Sequence, residues 1–333
     1  MATKLQKQSI RNLGVYGVIR EASVDSSLKP EGAVSEAVNF SFDRIGVSAV
    51  RPGITAIGTA IQDNQPAPEV QKSIDGHMCI GLHNAQSTAL LAVFARNTQW
   101  TIYVTPNPND VFTWGTTGWG IASVTTTAKV RFVDFLNWTT MLAGGRNNGQ
   151  ASLDASSWPF QTITGGAPLN MSQFTRTASV GEVYKSRMYL AGDPDYTNGS
   201  RLFFSSVVTS DRAINWSPTS DFVDINPGDG ESITALKRFS LELLVFKPNY
   251  MYRFRTSGLD PDPLIRVGTR SQESVIEGKR GVYFHHDTGF YRYSGGYPVE
   301  ISRPISDVIE AIEVSQYDDV AGWKDSNHIY WSI

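Results

Sequence analysis

Turn-forming residues are spread so evenly along this chain that little room is left for a helix. Gly and Pro occur 29 and 16 times in 333 residues, from end to end, with Thr, Ser and Asn among them. The segments they separate are rich in Val, Ile, Phe, Tyr and Trp. Such residues suit a pleated surface and the others suit tight turns, so the pattern predicts many short strands. Helical periodicity is confined to residues 33–39 and 305–312, each about two turns long. Strand-length apolar runs at 89–94, 100–104, 201–205 and 243–246 end in turn clusters, for example 105–109, 196–199 and 247–249.

A weak internal repeat sharpens the expectation. A short apolar strand follows a polar turn at 90–94, 140–145, 187–192, 243–247, 281–285 and 328–332. Most of these are followed by a second aromatic strand, at 100–104, 202–205, 251–254 and 290–293. The units recur at roughly 40 to 55 residues, the period of propeller blades with about four strands each. One blade cannot bury both of its faces, so neighbours must stack. The expected fold is all-β, a propeller-like array of short antiparallel sheets with an extended N-terminal arm; a sandwich or mixed β fold is the alternative. Residues 1–60 form the arm, 61–71 with Pro66 and Pro68 a linker, and 72–333 the blades. The sequence stops inside a strand-like segment at Tyr330-Trp331-Ser332-Ile333, which is expected either to close the ring or to continue in a longer polypeptide.

The residues offer little for catalysis. Cys79 is the one cysteine, which excludes an intrachain disulfide and a thiolate cluster; within Met78-Cys79-Ile80 it is expected to be a buried, inert thiol. Phosphate-loop, HExxH and GxSxG motifs are absent. Of the five histidines, His285 and His286 are adjacent, so in a strand they point to opposite faces and cannot chelate one ion together. No metal or cofactor is expected. Asp193-Pro194-Asp195 with Asn198-Gly199 has a calcium-loop look but not the EF-hand spacing, and is expected to be a solvated hairpin loop. Pro227-Gly228-Asp229-Gly230 is expected to be a tight turn in which glycine supplies positive φ. A formal charge of −3 does not suggest a broad nucleic-acid-binding face. No apolar run approaches the roughly 20 residues of a membrane helix, and the first residues lack a signal-peptide core, so synthesis in a cytosol is the expectation.

Three stretches together carry a likeness. The first is Glu31-Gly32-Ala33-Val34-Ser35-Glu36-Ala37-Val38-Asn39, with Arg44-Ile45-Gly46-Val47 and Arg51-Pro52-Gly53. The second runs from Val183-Tyr184-Lys185-Ser186-Arg187 through Arg201-Leu202-Phe203-Phe204-Ser205 and Pro227-Gly228-Asp229-Gly230 to Met251-Tyr252-Arg253-Phe254. The third joins Gly281-Val282-Tyr283-Phe284, Asp287-Thr288-Gly289-Phe290-Tyr291-Arg292-Tyr293 and Gly296-Tyr297-Pro298-Val299-Glu300-Ile301-Ser302. In this order they resemble the tail nozzle, or packaged-DNA stabilisation, class of structural proteins of tailed bacteriophages, across about half of the chain.

The resemblance implies a non-enzymatic subunit of the virion tail or neck, made in the bacterial host cytoplasm. Identical subunits would form a closed, six-fold ring around the DNA path, with portal or adaptor and other tail proteins as partners and genomic DNA passing through. A net-negative subunit lining such a channel would let DNA slide. Lys4, Lys7 and Arg11, in a segment of twelve residues without an acid, and Arg51 are the assembly candidates. The alternative is a glycan- or receptor-binding or hydrolysing propeller of the sialidase type, because 210–216 resembles a sialidase turn without its central Gly. Glycoside cleavage needs two carboxyl groups, or a Tyr with a carboxylate partner, flanking one bond. No acidic pair is singled out by spacing. In the binding form of that alternative, Trp114 and Trp119 would stack on sugar rings; core packing of both is the competing expectation.

Overall fold

The computed structural model describes residues 40–44, 47–50, 78–85, 89–96, 99–105, 115–122, 129–136, 138–142, 150–154, 174, 178–193, 198–208, 214–255, 258–325 and 328–332. The arm and linker expected over 1–60 and 61–71 lie outside these, apart from one antiparallel pair, β1 (Phe40–Arg44) with β2 (Val47–Val50). The rest is a succession of small antiparallel sheets whose strands neighbour one another in chain order. By contacts the chain divides into Ile57–Val275 and a second unit, Met1–Ala56 with Ile276–Ile333.

Ile57–Val275 holds four sheets. The first is β3 (Met78–Ala85), β4 (Ala89–Arg96), β5 (Gln99–Thr105) and β6 (Gly115–Ala122). The second is β7 (Arg131–Phe135), β8 (Trp138–Leu142) and β9 (Gln150–Asp154). The third is β10 (Val180–Tyr184), β11 (Arg187–Ala191), β12 (Arg201–Phe204) and β13 (Phe222–Asp224). The fourth is β14 (Ala235–Phe239), β15 (Glu242–Phe246), β16 (Met251–Arg255) and β17 (Gly258–Ile265). The first strand of each sheet lies against the first strand of the next: β3 on β7, β7 on β10, β10 on β14. This is the order of propeller blades and not of the two facing sheets of a sandwich.

Packing explains why the second strands read as unbroken apolar runs. In β11, Met188 and Leu190 face a cluster with Val133, Leu142, Phe203 and Trp216, whereas Tyr189 and Ala191 face one with Leu243, Val245 and Phe254. The strand is buried on both faces, so its sequence loses the alternation of a half-exposed strand. The first strands are the crowded ones. A Cβ built on Gly181 in β10 would fall 2.7 Å from Val133 Cγ2 and 2.8 Å from Leu190 Cδ2.

The unit containing Ile276–Ile333 holds β18 (Ile276–Gly278), β19 (Gly281–His286), β20 (Gly289–Tyr293) and β21 (Val299–Glu300), then β22 (Ala321–Lys324) paired with β23 (Ile329–Ser332). Its first strands also neighbour each other, β18 on β22. The helix expected over 305–312 is shorter: a 3-10 turn at Arg303–Ile305 and then α1 (Ser306–Glu310). Ile309 of α1 joins Phe290, Ile312, Tyr317 and Val320 in a core of its own. The helix expected over 33–39 lies outside the described residues.

Cys79 is exposed, not buried as expected. β3 begins its sheet, and an irregular pairing between Cys79 and Gly81 turns Ile80, 8% exposed, into the core instead.

Candidate functional site

The ionisable side chains that the fold draws inward stand at the junctions between blades. Lys247 follows β15 directly, at the end of an apolar strand whose direction carries it into the interior. Its side chain is wholly buried, and Nζ donates to both Asp229 oxygens at 2.8 and 2.7 Å, to Ser200 Oγ at 3.0 Å and to the Asn226 carbonyl at 3.2 Å. Asp229 comes from the turn between β13 and β14, and Ser200 from the start of β12, so one ammonium ties the third sheet to the fourth. The turn has the expected form, with Gly228 and Gly230 at φ of 94° and 78°. Asp229 also accepts from the Glu231 amide at 2.9 Å, which fixes the loop around the carboxylate.

A second junction is built around Arg131 of β7. Its Nε and Nη2 donate to Glu273 Oε1 and Oε2 at 2.5 and 3.0 Å, and its Nη1 to the Ser179 carbonyl, next to β10, at 3.0 Å. Burial alone would push the Glu273 carboxyl up; the hydrogen bonds and charge of Arg131, with Lys129 4.0 Å away, hold it below its ordinary range instead. The neighbouring Gln272 uses its side-chain amide as a strand would, Oε1 accepting from Leu236 N at 2.7 Å and Nε2 donating to Leu236 O at 3.0 Å. Between the first and second sheets, His83 Nε2 of β3 lies 3.0 Å from Asp134 Oδ1 of β7.

His285 and His286 alternate across β19 as expected, yet both are buried. The His285 ring meets Phe290 and Tyr317 edge-on, at 5.1 and 5.2 Å. Burial pushes its imidazole down to about 4, with the Asp287 carboxylate working against this and His286 adding to it. His286 Nδ1 lies 2.9 Å from Thr288 Oγ1 in the following turn. Among the described residues no three His, Cys, Asp or Glu side chains are grouped to hold a metal ion.

Asp193 and Asn198, expected in a solvated loop, are buried at 3% and 4% exposure. Asn198 Oδ1 accepts from Arg201 Nη1 at 2.8 Å, so this side chain is bound to β12 and not to solvent. Trp216, in the segment likened to a sialidase turn, is a core residue 4.8 Å from the Phe174 ring. Lys4, Lys7, Arg11, Arg51 and Trp114 lie outside the described residues. Trp119 lies in β6, where the backbone alone is described. Sequence reasoning missed Lys247 with Asp229, although a lone lysine closing the run Leu243–Phe246 was a signal. It also missed Arg131 with Glu273, which no local pattern marks.

One surface stands apart from these closed networks. β21 is the last strand of its sheet, and among the described residues no strand pairs with its outer side. Val299 in this strand, with Tyr297 in the preceding bend and Ile301 directly after, are exposed apolar side chains, at 55%, 72% and 39%.

No family model matches the chain, and no curated protein matches it. Among solved structures, the CNH domain of AfRom2 is 10% identical, with a TM-score of 0.37 over 63% of this chain and 58% of that one. The extracellular domain of a hybrid two-component system protein of B. thetaiotaomicron is 11% identical, with a TM-score of 0.42 over 68% of this chain and 28% of that one. Kluyveromyces lactis Hsv2 is 11% identical, with a TM-score of 0.33 over 65% and 74%. The chain thus spans less than two thirds of the first two. No helix among the described residues is long and apolar enough to cross a membrane.

Proposed function

We propose that this chain is a non-enzymatic structural subunit that assembles with copies of itself into a closed ring in the tail or neck of a tailed bacteriophage. The observation that carries the reading is the apolar edge at β21. An edge strand presents unpaired backbone groups, and proteins ordinarily guard such strands with charge, proline or a bulge. Here β21 is two residues long, with Pro298 before it and Glu300 within it as such guards, so it is the exposed apolar side chains Tyr297, Val299 and Ile301 at and beside it that favour coverage by another chain. A second copy is the occupant, because a head-to-tail contact between identical subunits closes into a ring.

Two further points support it. Of the segments that resemble nozzle proteins, the second and third touch β10–β12, β14–β16 and β19–β21. The inward ionisable groups are engaged in holding blades together, as Lys247 is with Asp229 and Arg131 with Glu273. In the ring implied by that resemblance, six subunits surround the DNA path, retain packaged DNA and guide its ejection, docking on portal or adaptor proteins.

Native mass spectrometry and electron microscopy of the purified protein, alone and with its particle, test the proposal. The expected result is a cyclic homo-oligomer located on the tail axis. A monomer that releases sugars from glycans would overturn it in favour of the sialidase-type alternative.

A further inference from the structure

β18 and β19 are joined by two consecutive cations, Lys279 and Arg280, held between the paired Gly278 and Gly281. Both side chains are exposed, and neither makes an ion pair among the described residues. The next sheet brings a third cation beside them. Lys324, at the end of β22, donates from Nζ to the Glu277 carbonyl at 2.5 Å, which fixes its ammonium over the end of β18. His328, opening β23, completes the basic rim. Between the two turns lies a cavity of about 630 Å³ with these four side chains, Tyr283 and Asp325 on its walls.

Asp325 is the one carboxylate there, and its own turn engages it. Oδ1 accepts from the His328 amide at 2.6 Å, and Oδ2 from Tyr330 OH at 3.1 Å, with His328 Nδ1 3.4 Å away. Three permanent positive charges therefore share one cavity with a single, already occupied negative one. Such an arrangement is relieved when an anion enters.

We propose that this cavity binds a phosphate-bearing ligand. A guanidinium fork matches phosphate oxygens two at a time, and lysines add point charges from the other side. The volume falls within the roughly 300–1,000 Å³ of small-molecule sites, enough for a diphosphate or a nucleotide, with the Tyr283 ring as a wall. The source is either a free phosphate ester or the backbone of a nucleic acid strand. The site lies within one unit and stands whether or not the chain forms a ring.

Calorimetric titration of the full chain at low salt tests this, with pyrophosphate as the first probe and a short single-stranded DNA as the second. Pyrophosphate is expected to bind, and the double variant Lys279→Gln with Arg280→Gln to weaken it roughly tenfold or more. Lys324→Gln weakens it independently. Arg238→Gln, an exposed cation of β14, leaves it unchanged. Binding of pyrophosphate alone assigns free esters as the source; binding of the oligonucleotide with the same sensitivity to the double variant assigns the strand backbone. Near-ultraviolet circular dichroism verifies that each variant is folded. A chain that binds neither probe at millimolar concentration, or binding that survives the double variant, overturns the proposal.

Discussion

Lys247 and Asp229 meet inside the protein as a two-point ion pair, Nζ within 2.8 Å of both carboxylate oxygens, with the lysine side chain wholly out of water. Two charges removed from water are tolerable only together. Lys247→Met leaves the Asp229 carboxylate, 13% exposed, without its partner, and is expected to cost about 3–5 kcal/mol. Adding Asp229→Asn is expected to restore part of that loss, since the orphaned charge is then gone. Urea denaturation of the two single variants and the double variant measures the coupling; costs that simply add would refute it.

The pair of Arg131 and Glu273 predicts a pH dependence. The folded carboxyl sits below its usual 4.5, so the stability it contributes is fully present above that value and is lost as pH falls through the folded one. Glu273→Gln is expected to destabilise by about 1–3 kcal/mol near pH 7. The gap to the unaltered protein should close below about pH 4.5. Thermal midpoints taken across pH 3 to 7 supply the check, and a gap that stays constant would place the effect in packing instead.

His285 acts in a different window. Its folded value of about 4 lies below the ordinary 6.5, so between these the unfolded chain takes up a proton that the folded chain refuses. Stability is therefore expected to decline from about pH 6.5 down to about pH 4, on the order of 3 kcal/mol in all. His285→Phe, beside Phe290 and Tyr317, should flatten that decline. A slope unchanged by the substitution would assign it to other groups.

Much of the fold was legible because its repeat is written in the second strands. The six apolar runs read from the sequence fall on β4, β8, β11, β15, β19 and β23, each buried or half-buried by neighbours where described. What stayed hidden depends on chain crossing. Arg131 and Glu273 are 142 residues apart, and only the stacking of one blade on the next brings them together. The polar turn read before 187–192 is there between β10 and β11, but its form was hidden. Lys185 and Ser186 take φ of 46° and 57° without a glycine, because the pairing of Tyr184 with Arg187 around them fixes a two-residue hairpin. The exposed edge of β21 was unreadable as well, since an apolar alternation looks the same whether its face is covered or open.

The glycines of the first strands give a graded prediction. In Gly181→Ala the new methyl meets side-chain methyls of Val133 and Leu190, 2.7 and 2.8 Å away, which can shift, for a cost of about 1–3 kcal/mol. In Gly81→Ala it meets the Val130 carbonyl oxygen at 2.7 Å, on backbone that the Val130 N–H, donating to the Ile80 carbonyl at 2.8 Å, ties to β3. Backbone tied in this way cannot yield as a methyl can. Gly81→Ala is therefore expected to be the more damaging, and equal denaturation midpoints for the two variants would contradict the crowding at β3 and β7.

The edge strand separates assembly from folding. Tyr297 and Val299 are 72% and 55% exposed, so Tyr297→Lys with Val299→Lys removes little packing within the chain and should shift stability by less than about 1 kcal/mol. Charge on an edge strand opposes pairing with another chain. The same variant is therefore expected to lower the oligomeric mass to that of the monomer in native mass spectrometry and to abolish incorporation into particles. Val207, 49% exposed on the other unit, supplies the control: Val207→Lys should leave the mass unchanged. If the double variant still assembles with undiminished mass, the contact between copies lies elsewhere, and the apolar face of β21 loses its role as the carrier of the structural reading.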